Sequence, residues 1–285
     1  MRKTERDVEL LWWTGRLKYL FTSLIAQFFF GGSAKSARRR LKALSDSGYL
    51  CCFDRQGTFS CGRAERAYFL NKKKREEITH LVGSGNVSFY SLPKNLALAE
   101  HTMEIARVLL SIKQFCSIHN DYSFQFLVEH ETSLQNMTNC LFGQDKNFFI
   151  PDFLVVITNS SGNKALFFGE IDLSTETLSS NSGDKVSISG KLKAYIEYFD
   201  RQGYVALSEQ FDYPFKGFRV LFVVNSENRM QRIATLCESE GTRGMVWLTT
   251  QDRIVPESFL FDPIWQVPCS GKKEPQAITK KHRIK

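Results

Sequence analysis

Three carboxylates in the middle of this chain stand in two short runs, Ile150-Pro151-Asp152-Phe153-Leu154 and Phe168-Gly169-Glu170-Ile171-Asp172. The stretch between them, Thr158 to Asn163, has the composition of a turn, so the runs predict neighbouring strands of a hairpin. Residues i and i+2 on a strand share a face, so Glu170 and Asp172 are expected to point together. The hairpin then brings Asp152 beside them. Three carboxylates on one sheet face repel each other unless a cation neutralises them. A hard divalent ion with oxygen ligands is the natural solution.

Other chemistry-bearing residues are weighed against plainer roles. Glu129 and Glu131 share a strand face and could add a ligand, with an exposed sheet edge as the alternative. His101 and Glu104 lie one helical turn apart and could line the site, with a buried, hydrogen-bonded histidine as the alternative. Tyr195 and Tyr198 raise covalent phosphotyrosine chemistry. No His-hydrophobe-His metal motif and no recombinase-like Arg/His set accompanies them, so helix packing or DNA contact is the simpler reading.

The elements that must position these residues alternate. A helix is predicted over Leu96 to Phe115, then strands over Ser123 to Glu129, Phe148 to Ile157 and Ala165 to Leu173. A Ser-, Asn- and Gly-rich loop spans Leu178 to Gly190. A helix from Ser189 to Arg201, a strand at Arg219 to Val224, a helix at Asn228 to Ser239 and a strand at Met245 to Thr249 follow.

The first segment reads differently, as three helices and a hairpin. Thr4 is placed to cap the first helix, Thr22 or Ser23 the second, and Ser33 the third after the Gly31-Gly32 break. The third helix has Ala37, Leu41 and Leu44 on its apolar side and Lys35, Arg38, Arg39, Arg40 and Lys42 elsewhere. Strands at Tyr49 to Phe53 and Arg66 to Leu70 enclose a basic loop with Arg55, Arg63 and, at its end, Arg66. This is the order of a winged helix-turn-helix, whose third helix enters the DNA major groove. The domains are expected at 1–90, 91–269 and, as a basic disordered tail, 270–285.

The charge distribution agrees with that division. Residues 1–80 carry 17 Lys and Arg against 8 Asp and Glu, residues 81–265 carry 15 against 21, and residues 266–285 carry 6 against 1. A basic head and tail around an acidic middle suggest a polyanion-binding module joined to a carboxylate-rich site. Seven cysteines without a C-x-x-C pair read as reduced thiols, although Cys51, Cys52 and Cys61 are close enough to raise a metal site. No apolar run is long enough to span a bilayer, and no apolar leader opens the chain, so a cytoplasmic protein is expected.

Pro151-Asp152 and Glu170-Ile171-Asp172 resemble the two motif positions of the PD-(D/E)xK nuclease superfamily. Asp172 stands where the motif lysine belongs. Some members take that lysine from a neighbouring helix, which makes Lys191, and less so Lys193, its counterpart. Except for its tail, the chain resembles the replication-relaxation family of plasmids and mobile elements. The residues that carry this are Arg39 to Leu44 with Gly48-Tyr49-Leu50, Tyr68-Phe69-Leu70, His101, Pro151-Asp152, Glu170-Ile171-Asp172, Lys191 to Tyr195 and Pro263-Ile264-Trp265. That family includes C-type mobilisation relaxases, which nick plasmid DNA at a transfer origin. The resemblance implies a winged helix followed by an αβββαβ nuclease-like domain. It implies Mg²⁺ or Mn²⁺ held by Asp152, Glu170 and Asp172, with Lys191 stabilising charge at the scissile phosphate. Its implied partner is double-stranded DNA at a transfer origin or operator-like site. An accessory mobilisation or coupling protein and a second copy of the chain are further candidates. The rival reading is a non-catalytic initiator or regulator with a degenerate nuclease fold.

Overall fold

A computed structural model describes residues 2–54, 65–83, 87–90, 96–131, 134, 150–174, 176–179, 187–257, 259–272 and 274–279. It is a mixed α+β structure with two sheets, and the chain divides into compact units of residues 1–110 and 111–285.

The first unit starts with α1 (Glu5–Arg16), closed by a capping box in which Thr4 and Asp7 satisfy each other's backbone N–H groups. After β1 (Leu20–Phe21) come α2 (Thr22–Phe29) and α3 (Ala34–Asp46). Neither Thr22 nor Ser23 caps α2. Its first turn instead receives the Glu65 carboxylate, which accepts the Ser23 N–H at 2.9 Å. The Thr22 hydroxyl donates across to the Arg66 carbonyl. Ser33 caps α3 as expected, and Ala37, Leu41 and Leu44 are fully buried. Strands β2 (Leu50–Asp54) and β3 (Arg66–Leu70) pair antiparallel with Cys51 opposite Phe69, and β1 adds to the other edge of β3. Tyr19, Phe21, Ala67, Phe69 and Ala99 form a core on this sheet. α4 (Arg75–Val82) follows, and α5 (Leu96–Ile118) crosses the unit division.

The second unit is built on five strands in the order β4-β5-β6-β7-β8: Tyr122–Val128, Phe153–Asn159, Lys164–Asp172, Arg219–Val224 and Val246–Thr250. β4, β5 and β6 are antiparallel; β6, β7 and β8 are parallel. The parallel connections carry helices, as parallel pairing requires: α6 (Ile188–Asp200) and the short α7 (Ala206–Phe211), then α8 (Glu227–Glu240). Alternate residues of the sheet, among them Leu166, Phe168, Val220 and Phe222, share a core with Leu192, Tyr195 and Tyr198 of α6 and Ile233 of α8. Val155, Phe167, Leu221 and Val223 on the opposite face are also buried, so the central strands are covered on both sides.

Two expectations need correction. Residues 274–279 return to the second unit, where Trp265 exchanges backbone hydrogen bonds with Gln276 and the Thr279 N–H reaches the Leu260 carbonyl. The beginning of the tail is therefore ordered. Glu129 and Glu131 lie beyond the end of β4, and Glu131 turns back to accept the Val128 N–H at 3.1 Å. Among the described residues, no helix is long and apolar enough to cross a membrane.

Arg40 is the exception on the basic helix. Its guanidinium holds Asp7 of α1 through Nε at 2.7 Å and through Nη2, and Asp7 is only 1% exposed. Arg40 is therefore a tie between helices, whereas Lys35, Arg38, Arg39 and Lys42 are exposed. Replacing Arg40 by Ala should strand a buried carboxylate and destabilise the chain by about 3 kcal/mol. Arg38→Ala should cost less than about 0.5 kcal/mol. Denaturant unfolding of both variants tests this; equal costs would contradict the assignment.

Candidate functional site

Register places the first two candidate residues together. Phe153 lies opposite Gly169, so Asp152, one residue earlier, meets Glu170, one residue later. The pairing needs a glycine there: a Cβ on Gly169 would fall 2.0 Å from the Phe153 ring. Asp152 donates its N–H to the Gly169 carbonyl, and its Oδ2 accepts the Ile171 N–H at 2.7 Å. Its carbonyl accepts the Glu129 N–H, which ties the turn after β4 to the same point.

Glu170 is almost completely buried, and both its oxygens are bonded from one helix. Lys191 Nζ lies 2.9 Å from Oε2, and the Tyr195 hydroxyl donates to Oε1 at 2.6 Å. The two residues sit four apart on α6, hence on one face. Ser187 caps that helix, and Ile188, Leu192 and Tyr198 anchor it in the core. Lys193 points elsewhere, to an exposed pairing with Glu240 at 3.6 Å.

Burial pushes the Glu170 carboxyl up to about 7; the Lys191 charge pulls it down, Asp152 adds to the rise, and the Tyr195 hydroxyl opposes it. For Lys191, burial disfavours the charge, but Glu170, Asp152 and Glu176 outweigh it and hold the pKa above the ordinary lysine value. Burial and the Glu170 charge push the Tyr195 hydroxyl well above the usual tyrosine value, so it acts as a donor and stays protonated.

Asp172 shares the Glu170 side of β6 by strand alternation, but its charge is matched by Arg229, near the start of α8. Arg229 Nε is 2.5 Å from Oδ2 and Nη2 is 3.2 Å from Oδ1, with both side chains buried. The Ser174 N–H also donates to Oδ1. Arg229 Nη2 reaches on to the Glu176 carbonyl at 2.7 Å, and the Glu176 carboxylate meets Lys191 Nζ at 2.8 Å. Sequence reasoning missed both Arg229 and Glu176. Nothing in their spacing marks them; Arg229 lies 57 residues from Asp172.

Among the described residues, no group of three His, Cys, Asp or Glu side chains is disposed to hold a metal ion. Asp172 in particular is neutralised by a guanidinium where a shared cation was expected. Asp152 and Glu170 still have the hard oxygen donors that suit Mg²⁺ or Mn²⁺. Glu176 adds a buried Oε2 with no hydrogen-bond partner among the described residues. Glu170 and Glu176 both contact Lys191, so the fit to a hard divalent ion rests on the oxygen chemistry of Asp152 and Glu170 and not on an assembled three-carboxylate cage.

Of the remaining candidates, Glu104 of α5 pairs with Arg107 at 2.7 Å, and His101 lies on the same helix, both within the first unit. In that unit, Arg38, Lys42 and Arg66 border one hollow between α2, α3 and the hairpin. Arg66 also pairs with the exposed Asp54 at 2.7 Å. Arg55 and Arg63, like Cys61, lie outside the described residues.

The order of these elements, and the carboxylate–lysine–tyrosine set at the strand ends, define a class of two-unit chain with a basic helical head and an acidic, buried site. The chain belongs to the replication-relaxation family, whose model matches residues 11–207. Membership assigns it a role in replication or relaxation and is consistent with relaxase and mobilisation themes. No curated protein and no solved structure matches it.

A pH test isolates the Lys191–Glu170 contact. The folded Glu170 value lies above its ordinary 4.5, so the folded state keeps a proton that the unfolded state releases. That contribution to stability is present at low pH and declines as pH rises from about 4.5 to about 7. Lys191→Met removes the charge that limits the rise, so its decline should extend beyond about pH 7, where the wild type has levelled off. Urea midpoints between about pH 7 and pH 8.5 decide it; parallel curves would show that Lys191 does not set the Glu170 charge.

Proposed function

We propose that the chain is a metal-dependent DNA endonuclease of the nickase or relaxase type, acting in mobilisation of a plasmid or integrative element. The first unit is read as a winged helix-turn-helix and the second as a PD-(D/E)xK-like domain. The observation that carries the reading is Asp152 facing Glu170 across two strands, with Lys191 delivered onto Glu170 from α6. Asp152 and Glu170 would hold Mg²⁺ or Mn²⁺, and the Glu176 carboxylate reaches the same Lys191 ammonium as Glu170. The ion, when bound, supplies a bound water of lowered pKa and offsets charge on the phosphate. Lys191, kept protonated by its carboxylates, stabilises negative charge developing on the phosphate. Tyr195 orients Glu170 through its hydroxyl and, being protonated and buried, is a poor nucleophile.

One observation favours a second reading, a non-catalytic DNA-binding initiator or regulator. Both Glu170 oxygens and both Asp172 oxygens are already bonded within the protein. Nicking of supercoiled DNA from the native element, with and without Mn²⁺, separates the two.

Asp152→Asn and Glu170→Gln keep side-chain shape but remove the charge that holds the cation. Each should abolish metal-dependent nicking while duplex binding survives, and Lys191→Ala should slow the chemical step without abolishing metal binding by calorimetry. A wild-type chain that neither binds metal nor nicks its own element would replace this reading with the non-catalytic one.

For the first unit, replacing the exposed Lys35, Arg38, Arg39 and Lys42 by Ala should weaken duplex binding. It should flatten the salt dependence by about 0.9 per lost phosphate contact. Arg40 is left intact because it holds Asp7. An unchanged slope in the folded variant removes α3 from the DNA interface.

A further inference from the structure

The central sheet has a second charged end. Lys164 opens β6, six residues before Glu170 on the same strand, or about 20 Å at the usual rise. Arg219 opens β7, paired in register with Phe167. Its guanidinium lies over the Trp247 ring, 4.8 Å from the centroid. It is partly buried, and that burial lowers its pKa, with no carboxylate among the described residues opposing the fall. Lys164 Nζ gives one hydrogen bond, 2.5 Å to the Phe211 carbonyl, and keeps two N–H groups for other acceptors. Lys216, on the segment leading into β7, is exposed.

Two hollows, one on each face of the sheet, share residues at this end. Lys164 and Arg219 line both, Lys216 lines one, Asn159 and Asn163 line the other, and among the described residues no Asp or Glu lines either. This is a local excess of cations in a segment whose overall balance, 15 basic against 21 acidic residues, is the reverse. A desolvated cation without a counter-charge costs free energy, which an anionic ligand would recover. A forked guanidinium stiffened against an aromatic ring, an ammonium and side-chain amides together match phosphate oxygens.

We propose that Lys164, Lys216 and Arg219 form a second DNA site, which holds backbone phosphates about 20 Å from the candidate active site along the sheet. At 3.4 Å per base step that is about six base pairs, so the site holds flanking DNA while Asp152 and Glu170 face the reacting phosphate. This rests on the DNA-acting reading above, but its test does not require cleavage.

The test uses the full chain. The Arg219 Nε–Hε resonance is followed on addition of inorganic phosphate and, separately, of a short duplex of arbitrary sequence. Duplex affinity is measured against salt for the wild type and for Lys216→Ala/Arg219→Gln, whose folding is checked by thermal unfolding. Lys164 is spared because of its bond to Phe211. The site predicts that the resonance moves with both ligands and that the salt slope of the double variant falls by about 1.8. A moved resonance and reduced slope in a chain that never nicks would uphold the site while the nickase reading fails. A resonance indifferent to duplex overturns the proposal even if nicking occurs, and decides the matter if the double variant does not fold. Movement with phosphate but not duplex marks an adventitious anion site only and also overturns it. So does movement with an acidic polypeptide in place of DNA.

Discussion

A carboxylate cannot be buried as completely as Glu170 without hydrogen-bonded, charged company. Most of the second unit's local arrangement follows from that constraint. The two donors that satisfy Glu170, Lys191 and Tyr195, must come from one helix face four residues apart, so α6 must lie across the C-terminal end of β6. Leu192, Tyr195 and Tyr198 then take the core positions that fix the helix there. Gly169 lets the Phe153 ring seat against β6, and that contact brings Asp152 level with Glu170. The site is thus a consequence of packing as much as of charge: a Cβ at 169 would move Asp152 without touching any functional residue.

The neighbouring pair obeys the same rule by other means. Asp172 is also buried and on the same strand, but its company is Arg229 from α8. Arg229 continues to the Glu176 carbonyl, and Glu176 continues to Lys191. The two ion pairs are therefore one network running from α8 through the turn after β6 to α6. Breaking either half leaves a buried charge uncompensated, which is more costly than the pair is stabilising. A network of this kind holds Lys191 beside Glu170 whether or not a cation is present. The same geometry would therefore persist in a catalytic and in a non-catalytic protein alike.

What the sequence made legible was whatever depends on local pattern. The helix from Ile188, the strand Arg219–Val224, the Ser33 cap and the apolar stripe Ala37, Leu41 and Leu44 follow from periodicity and capping chemistry. The hairpin around Thr158 to Asn163 fixed the meeting of Asp152 with Glu170, because register follows once two strands and a short turn are known. What was not legible was the partner of each charge. Asp172 looked like a ligand and Arg40 like a DNA contact because residue type and face allow those roles. Each is held by an ion-pair partner 57 or 33 residues away that no spacing rule reveals. The Glu65 cap of α2 and the return of Gln276 to Trp265 belong to the same class of distant contact. So does the pairing of Leu20 with Tyr68, which makes a strand of two residues too short to signal itself.

The segregation of charge along the chain has a physical rationale in the proposed reading. A site whose carboxylates outnumber its cations repels a phosphodiester at close range until a metal intervenes. Affinity for DNA must then come from surfaces that can be basic without disturbing that balance. Lys35, Arg38, Arg39 and Lys42 fit this requirement because their helix buries only Ala37, Leu41 and Leu44 and leaves the cations in solvent. Arg219 and Lys164 fit it differently, at the end of the sheet farthest along β6 from Glu170. At about 20 Å their charges act on Glu170 only weakly, beyond the Debye length of roughly 8 Å at physiological salt. In that reading the separation gives the sheet an acidic end for chemistry and a basic end for holding DNA.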